Sequence, residues 1–362
     1  MVFFYISLIV INLLLWLHKK KEPVILNLTL LALYILMSGN SEGPDIIGTI
    51  HVYSHPDEFT FNDPGYQLLQ SLSYNVFNID FVYFRYFLTS FCVLFIWRTI
   101  RFYNTGGHLM IALYMLYLFF MDTIQMRNFF AQVIVLYAFK YLLSERRTDH
   151  YKFIIYVLLA SSMHVATLVY LLLIIPKFIN KKKTLVLFGV LGAGIFVLSV
   201  LAKIAGSNFV RIVISMIITE GSRGEGYFES ETNLSGLAIS FTIVLGIFYC
   251  YYMKKRLSIY GESSRAFMLS DNLFTSNIIM LVFLSMLLIN INFYRYFRNF
   301  LLLIYLCAEL YLDSYKENGR RRWGGLLSII LITSLWFIMD IIIINGFDEC
   351  VVPIFEHNFL WE

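Results

Sequence analysis

Apolar runs separated by short polar stretches make up most of the chain. Residues 2–17 read VFFYISLIVINLLLWL, and residues 184–203 are nearly as apolar. A helix of about 20 apolar residues is long enough to cross a bilayer. The pattern predicts about ten membrane-spanning helices, near residues 2–17, 24–40, 81–97, 107–122, 127–143, 184–203, 234–253, 273–290, 296–313 and 324–345.

The composition supports this interpretation. Of the 362 residues 59% are hydrophobic and only 14% are charged, whereas a soluble domain of this size carries far more charge. We therefore predict an all-α polytopic membrane protein that forms a single integral membrane domain over residues 1–362. The net charge of +4 does not indicate a nucleic-acid partner. The four cysteines show neither a CxxC motif nor zinc-like spacing, so no metal site is predicted.

Basic clusters predict the orientation of the chain. The loop 41–80 contains six acidic residues and no Lys or Arg, so the positive-inside rule places it outside. The loop 204–232 and both termini are then also expected outside. The clusters expected in the cytoplasm lie at residues 18–21, 97–101, 144–152, 253–256 and 316–322.

One apolar segment, residues 151–183, is basic at both ends. A single crossing would export four lysines and invert everything that follows. We predict instead a hairpin of half-helices near 151–176, which turns at ASSMH and places His164 at its tip in an outward-facing cavity. The alternative is one tilted span in which His164 is a hydrogen-bonding core residue.

Short surface helices are predicted in both outer loops. In the loop 41–80 the stretch GYQLLQSLSYNVF has apolar residues near helical spacing, which favours a helix along the membrane surface. The stretch NFVRIVISMI is a second candidate, in the loop 204–232.

Four arginines lie at or just inside the predicted outer ends of spans: Arg85, Arg127, Arg295 and Arg298. A charge in this position must be paired or must reach the surface. Because a guanidinium binds phosphate and carboxylate in a bidentate manner, we predict an anion site, with Asn128 beside Arg127. The alternative is that each arginine contacts head groups or pairs with an acidic residue of the outer loop.

Three further residues could carry chemistry. Asp45 and Asp63 in the first outer loop could act as a general base or hold a sugar hydroxyl, although Asp63 in NDPGY also fits a turn. His164 is the one histidine deep within an apolar segment, where a neutral imidazole could accept a proton from a hydroxyl.

The order of these features resembles the EpsG family, the Wzy-type polymerases of bacterial capsular and exopolysaccharides. The resemblance is carried by Asp45, Tyr53 and DPGYQLL in the outer loop, by QMRNFFAQ, by the Ala-Ser-x-x-His stretch LLASSMHVATL, and by FYRYFRNFLLL. It covers residues from about 40 to 310. Asn128 stands where Gln is common in the family, which preserves the amide but shortens its reach.

The resemblance implies a GT-C-like membrane glycosyltransferase in the cell membrane whose active site faces outside. Such an enzyme transfers the growing glycan from undecaprenyl pyrophosphate to the distal hydroxyl of the next lipid-linked repeat unit. It implies His164 or Asp45 as the base. It also implies a flippase and a chain-length regulator as partners, and neither a cofactor nor a metal, since the chain has no DxD motif.

On this basis each predicted site residue receives a role. Arg127, Arg295 and Arg298 are expected to bind pyrophosphate, and Asn128, Asp63 and Arg85 to bind other parts of the substrate. A ligase that moves finished glycan from the same lipid would need the same residues. A membrane O-acyltransferase would use an intramembrane histidine but would not need these arginines. A flippase would be expected to show two related halves, and no repeat is evident.

Overall fold

The computed structural model describes residues 1–55, 63–204, 234–315 and 319–360. These residues are nearly all helical, and within them the one β-type pairing is an isolated bridge between Asn40 and Asn358. The predicted all-α class is confirmed. The chain, predicted as one integral domain, forms two compact units, one of residues 1–171 with 302–362 and the other of residues 172–301.

The α-helices of the described residues are, in chain order, α1 (Val2–Leu17), α2 (Pro23–Gly39), α3 (Ile46–Ser54), α4 (Pro64–Ser71), α5 (Phe81–Tyr103), α6 (His108–Leu116), α7 (Leu118–Ile124), α8 (Met126–Ala138), α9 (Arg147–Met163), α10 (Ile175–Phe178), α11 (Lys181–Ile204), α12 (Leu234–Leu257), α13 (Arg265–Met280), α14 (Arg295–Arg298), α15 (Leu301–Asp313), α16 (Gly319–Phe337), α17 (Phe347–Cys350) and α18 (Val352–Glu356). Several continue as 3-10 or π-helical turns, among them Leu72–Val76, Phe139–Leu143, Val165–Ile174, Leu281–Leu288 and Ile338–Asn345.

Five of the described helical stretches are long and apolar enough to cross a membrane: Phe81–Tyr103, Lys181–Ile204, Ser235–Tyr260, Arg265–Leu288 and Arg321–Asn345. The apolar helices α1 and α2 are shorter, and α1, with its 16 residues, is about 24 Å long against a hydrocarbon core of about 30 Å. These helices indicate a membrane protein. The count of ten spans stays a prediction.

The predicted span 107–122 is interrupted. Tyr117 has φ −145° and ψ −65°, which ends α6 and begins α7, and Gln125 separates α7 from α8. Neither Pro nor Gly marks the break at Tyr117. Its hydroxyl donates to the Asp340 carboxylate, so a tertiary contact accompanies the bend. Nearly every side chain of α6 and α7 is buried within the protein, which makes this pair part of the core of the first unit.

Contacts between aromatic rings show the relative directions of the helices in the first unit. Phe91 contacts Phe130, and one turn further along Phe95 contacts Tyr137, so α5 and α8 are parallel. The segment α6–α7 returns between them from the end of α5 to its start. We call the end at which α5 and α8 begin the site end, and the opposite end the basic end.

The helix α9 is antiparallel to α8. Tyr137 contacts Tyr156, and Tyr141, in the 3-10 turn that continues α8, lies beneath the Lys152 ammonium, which is earlier in α9. The last turn of α9 therefore lies at the site end, beside the first turn of α8. This places the two most informative motifs of the sequence, QMRN and ASSMH, next to each other.

The basic end gathers positive charge and buried polar contacts. The Glu309 carboxylate accepts hydrogen bonds from the N–H groups of Gly107 and Met110 and so caps α6 from a distant helix. The Lys21 ammonium donates to the Asn104 carbonyl. Cations near this end of the unit include Lys19, Lys20, Lys21, Arg101, Lys140 and Arg322. Their distribution agrees with the predicted topology, and the assignment of this end to the cytoplasm stays a prediction.

In the second unit α13 packs against both α11 and α12. At one end the Asp271 carboxylate pairs with both the Lys181 and the Lys254 ammonium groups. Gly236 allows a close approach on α12, because a Cβ there would lie 2.3 Å from the Leu287 carbonyl oxygen. The surface helix predicted at NFVRIVISMI, in the loop 204–232, lies outside the described residues.

Candidate active site

The first turn of α4 presses on the last turn of α9 at the site end. Pro64 is the first helical residue of α4, where its missing N–H is not needed. Gly65 follows, and a Cβ at this position would lie 2.4 Å from the Ser162 Oγ. The close approach requires a glycine, and it brings Asp63, immediately before α4, to the end of α9.

The chain leaves helical geometry at His164. This residue has φ −155° and ψ 109°, so α9 ends at Met163 and a 3-10 helix starts at Val165. The N–H groups of a new helical start need acceptors. The Asp63 Oδ1 accepts the Val165 N–H at 2.7 Å. The helix break that the sequence predicted at this histidine is present, whereas the return of the chain as a hairpin stays a prediction.

The second oxygen of Asp63 joins the two other predicted functional groups. Oδ2 lies 3.1 Å from Arg127 Nη1 and 3.6 Å from His164 Nδ1. The side chains of Arg127, His164 and Asp63 are 34%, 14% and 6% exposed. The carboxylate is thus buried between a cation and an imidazole that both keep some access to the surroundings. We call these three residues the Asp63 cluster.

The charge state of Asp63 follows from its surroundings. Burial raises the pKa of its carboxyl group, but the His164 ring, the Val165 N–H and the Arg127 charge together outweigh burial and leave the pKa lowered. Asp63 is therefore ionised near neutral pH. An ionised carboxylate facing Nδ1 favours the tautomer that carries its proton there and leaves the Nε2 lone pair for a base.

Tyr66 forms the wall behind the cluster. Its ring is buried, and its centroid lies 5.9 Å from the Arg127 guanidinium carbon, within the range of a cation–π interaction. Burial raises the pKa of Tyr66 to about 12, so its hydroxyl is protonated at neutral pH. Arg127 is the second residue of α8, so the positive end of that helix dipole lies at the same end.

A family model decides where the chain belongs. The model of the EpsG family matches residues 24–354, nearly the whole chain. The chain belongs to the EpsG family. No curated protein and no solved structure gives a significant match. Membership suggests a role of the polysaccharide-polymerase type, acting on lipid-linked oligosaccharides at a membrane.

In this EpsG-family protein Arg127 pairs with an acidic residue of the first outer loop, which was the alternative to an anion site. The partner is Asp63, and one third of the Arg127 side chain remains exposed. The pairing and a binding role are compatible, since a guanidinium offers several donors. The pyrophosphate-binding role of Arg127 stays a proposal.

Arg85 makes structural contacts. Its Nε donates to the Met37 carbonyl and its Nη2 to the Thr123 carbonyl, both at 2.9 Å. The side chain is buried, and these bonds tie the ends of α2 and α7 to the start of α5. Arg85 thus supports the site end of the EpsG-family fold, and its predicted contact with substrate stays untested.

Asp45 and Asn128 occupy different surroundings. Asp45 is exposed at the start of α3, and among the described residues no hydrogen bond or ion pair joins its carboxylate to the Asp63 cluster. Asn128 is buried in the first turn of α8, directly after Arg127. Of the two predicted candidates for the base, His164 is the one that the fold places beside an acid and a cation.

The remaining two arginines belong to the second unit. The Arg298 guanidinium is fully buried, and its Nη1 donates to the Tyr294 hydroxyl at 2.6 Å. Arg295 is half-buried, and its Nη2 donates to the Asn292 side-chain oxygen at 3.2 Å. The prediction that they join Arg127 at a pyrophosphate stays a prediction.

The sequence analysis underestimated the role of Asp63. Asp63 was one of several loop carboxylates, with a turn as its simplest explanation, yet it contacts both Arg127 and His164. The signal was NDPGY, since Asp before Pro-Gly marks a helix start at which a close approach is possible. No group of three or more His, Cys, Asp or Glu side chains suited to a metal ion occurs in the part of the chain that the structure describes.

Proposed function

We propose that this EpsG-family protein polymerises lipid-linked oligosaccharide repeat units. It transfers the growing glycan from undecaprenyl pyrophosphate to the distal hydroxyl of the next lipid-linked unit, on the outer face of the cell membrane. The observation that carries the proposal is the Asp63 cluster, in which one buried carboxylate contacts a guanidinium and an imidazole. These are the groups that such a transfer needs, a cation for the leaving group and a base for the acceptor.

The base is His164. As the acceptor oxygen attacks the anomeric carbon of the donor sugar, its proton passes to the His164 Nε2. The bond between that carbon and the pyrophosphate oxygen breaks, and the electron pair leaves with the lipid pyrophosphate. Nε2 has no hydrogen-bond partner among the described residues, and Nδ1 faces Asp63. The acid thus orients the ring and stabilises the imidazolium that forms.

Arg127 stabilises the leaving group. Pyrophosphate on a lipid already leaves readily, so catalysis mainly requires that its growing negative charge be held. Arg127 is exposed enough to reach a ligand and is kept in place by Asp63 and by the Tyr66 ring. Asn128 is proposed to bind the donor beside it, and Arg295 and Arg298 to add positive charge. A flippase that supplies the units and a chain-length regulator are the proposed partners.

Reconstitution tests the proposal directly. Purified protein in nanodiscs is mixed with undecaprenyl-pyrophosphate repeat units from its host, and the glycan products are separated on a gel. Wild type is expected to give a ladder. Arg127→Ala and His164→Ala are expected to give none, and His164→Gln, which keeps a side chain of similar size, separates lost chemistry from lost packing. The exposed Asp45→Asn variant is the control and is expected to keep the ladder.

The competing functions predict other products. A ligase would move finished glycan to a different acceptor and give a single product rather than a ladder. A flippase would give no new glycosidic bond but would change the side of the membrane on which the lipid-linked unit is found. A ladder that persists in both Arg127→Ala and His164→Ala would remove the Asp63 cluster from the chemistry.

A further inference from the structure

An apolar groove of about 430 Å³ lies on the first unit, next to the Asp63 cluster. Its walls come from α4, from the π-helical turn Leu72–Val76 with the residues that follow it, and from the start of α5. Leu69 and Leu72 line one side, and Phe84 and Phe87 line the other. The groove is large enough for a stretch of hydrocarbon chain, and its apolar walls are suited to bind one.

The backbone around the groove is irregular. The π-helical turn interrupts regular helix, and Asn78 beyond it adopts a left-handed conformation with φ +49°. Irregular backbone at membrane depth is tolerated where it lines a cavity or is buried in protein, and π-helical turns occur often at functional sites. Val76, Phe77 and Tyr83 around the rim are each 65% exposed, which is typical of a surface in contact with lipid.

One wall of the groove packs against the tyrosine behind the Asp63 cluster. Phe84 lines the groove, and its ring centroid lies 5.9 Å from that of Tyr66. The other neighbour of Tyr66 is the Arg127 guanidinium, also at 5.9 Å. The rings of Phe84 and Tyr66 therefore separate the apolar groove from a cation that is suited to phosphate. A single ligand with a phosphate head and a hydrocarbon chain could contact both.

We propose that the groove binds the isoprenoid chain of the lipid whose pyrophosphate Arg127 holds. This rests on the proposed function and adds to it the place of the lipid. An isoprenoid is branched and unsaturated, and it matches walls that are rich in aromatic rings better than a bare alkyl chain does. The chain in the groove anchors the donor, so its pyrophosphate reaches the Asp63 cluster in one orientation.

Cysteine protection tests the proposal without any need for catalysis. Ser73 lines the groove, whereas Ser71, two residues earlier on the same segment, does not. The native cysteines Cys92, Cys250, Cys307 and Cys350 are all buried. Ser73→Cys and Ser71→Cys are labelled with a maleimide in nanodiscs, with geranylgeranyl pyrophosphate, hexadecyl phosphate or inorganic pyrophosphate present. Leu69→Cys repeats the test one turn earlier on the same wall.

Geranylgeranyl pyrophosphate at about ten times its dissociation constant is expected to slow labelling of the Ser73→Cys variant about tenfold. It should leave the Ser71→Cys variant unchanged, and inorganic pyrophosphate should protect neither. Adding Arg127→Ala should raise the concentration needed for protection, because head and chain then belong to one ligand. Equal protection by hexadecyl phosphate would make the groove a general lipid site and overturn the proposal.

The outcomes separate this proposal from the function on which it rests. Protection by the isoprenoid in a protein that makes no ladder would support the groove and refute polymerisation. A ladder without protection at Ser73 or Leu69 would refute the groove and leave polymerisation standing.

Discussion

Replacing Asp63 by Asn and by Ala separates the two parts that this residue plays. Its Oδ1 accepts the Val165 N–H and so supports the helix start after His164, and its Oδ2 faces Arg127 and His164. Asparagine keeps an oxygen for Val165 but loses the charge. Alanine loses both. We expect both variants to polymerise much more slowly than wild type and only Asp63→Ala to be markedly destabilised.

The structure sets the size of each effect. The pair between Asp63 and Arg127 is partly exposed on the arginine side, so the loss of its charge costs about 1 kcal/mol. Losing the part-buried bond to the Val165 N–H adds about 0.5–1.5 kcal/mol in Asp63→Ala. A general base contributes about 10²–10⁴-fold to a rate, and a histidine without its orienting acid loses part of this factor. The ladder should therefore slow by about 10²-fold or more in both variants.

Both the polymerisation rate and the stability are measured for each purified protein. Initial rates of chain extension are measured in nanodiscs, and unfolding midpoints are measured in detergent for wild type and both variants. Asp45→Asn is the matched control, because it removes an exposed acid from the same outer loop. Its rate and its midpoint are both expected to stay at the wild-type values.

Two results would refute this reasoning. If Asp63→Asn polymerised at the wild-type rate, the carboxylate would not orient His164, and the cluster would be an ordinary stabilising ion pair. If Asp63→Asn and Asp63→Ala lost the same amount of stability, the bond to the Val165 N–H would contribute nothing. Either result would require another base and another reason for the helix break.

Further predictions concern the support of the cluster and its charge. Gly65→Ala should push α4 away from Ser162 and lower the polymerisation rate about 10²-fold, while Gly48→Ala, where a Cβ meets nothing within 4 Å, serves as the control. Arg85→Met leaves two buried carbonyls unpaired and should lower the free energy of unfolding by about 2–6 kcal/mol. Folding lowers the pKa of Asp63 from 3.8, so its charge stabilises the folded protein above that pH. Wild type should therefore unfold at a higher temperature than Asp63→Asn near neutral pH, and this difference should vanish as the pH falls through the lowered pKa. Arg295→Ala should raise the KM for the lipid-linked donor by about ten- to a hundredfold in rate assays, without a comparable loss of stability. An unchanged KM would show that Arg295 does not bind the donor.

The helices could be predicted wherever the local pattern of apolar and charged residues determines them. Apolar runs gave the helices, and a basic residue at each end of 151–183 gave the break at His164. The bend at Tyr117 could not be predicted, since it contains neither Pro nor Gly and is accompanied by the contact with Asp340 more than 200 residues away. The division of the chain into two units likewise depends on packing between distant segments, which a local pattern does not encode.

The residue types of the candidate site could be predicted from the sequence, but the contacts between those residues could be predicted less well. Arg127 and His164 were identified because a charge and an imidazole are unusual in apolar segments. Asp63 was harder to weigh, because its partners Arg127 and Val165 lie 64 and 102 positions away. Asp45, which the sequence placed as the second candidate for the base, is exposed on α3, so chain position alone did not separate the two loop acids.

The charge balance of the Asp63 cluster limits how Arg127 can hold a pyrophosphate. In the Asp63 cluster one carboxylate already offsets the one guanidinium, so with a neutral His164 the cluster carries no net charge. A lipid-linked pyrophosphate brings a negative charge on each phosphate, and binding it against Asp63 alone would be unfavourable. Further positive charge is therefore required if Arg127 is to hold the leaving group. Once a proton has moved to His164 the imidazolium supplies some of it, so the site becomes more positive at the moment when the leaving group becomes more negative.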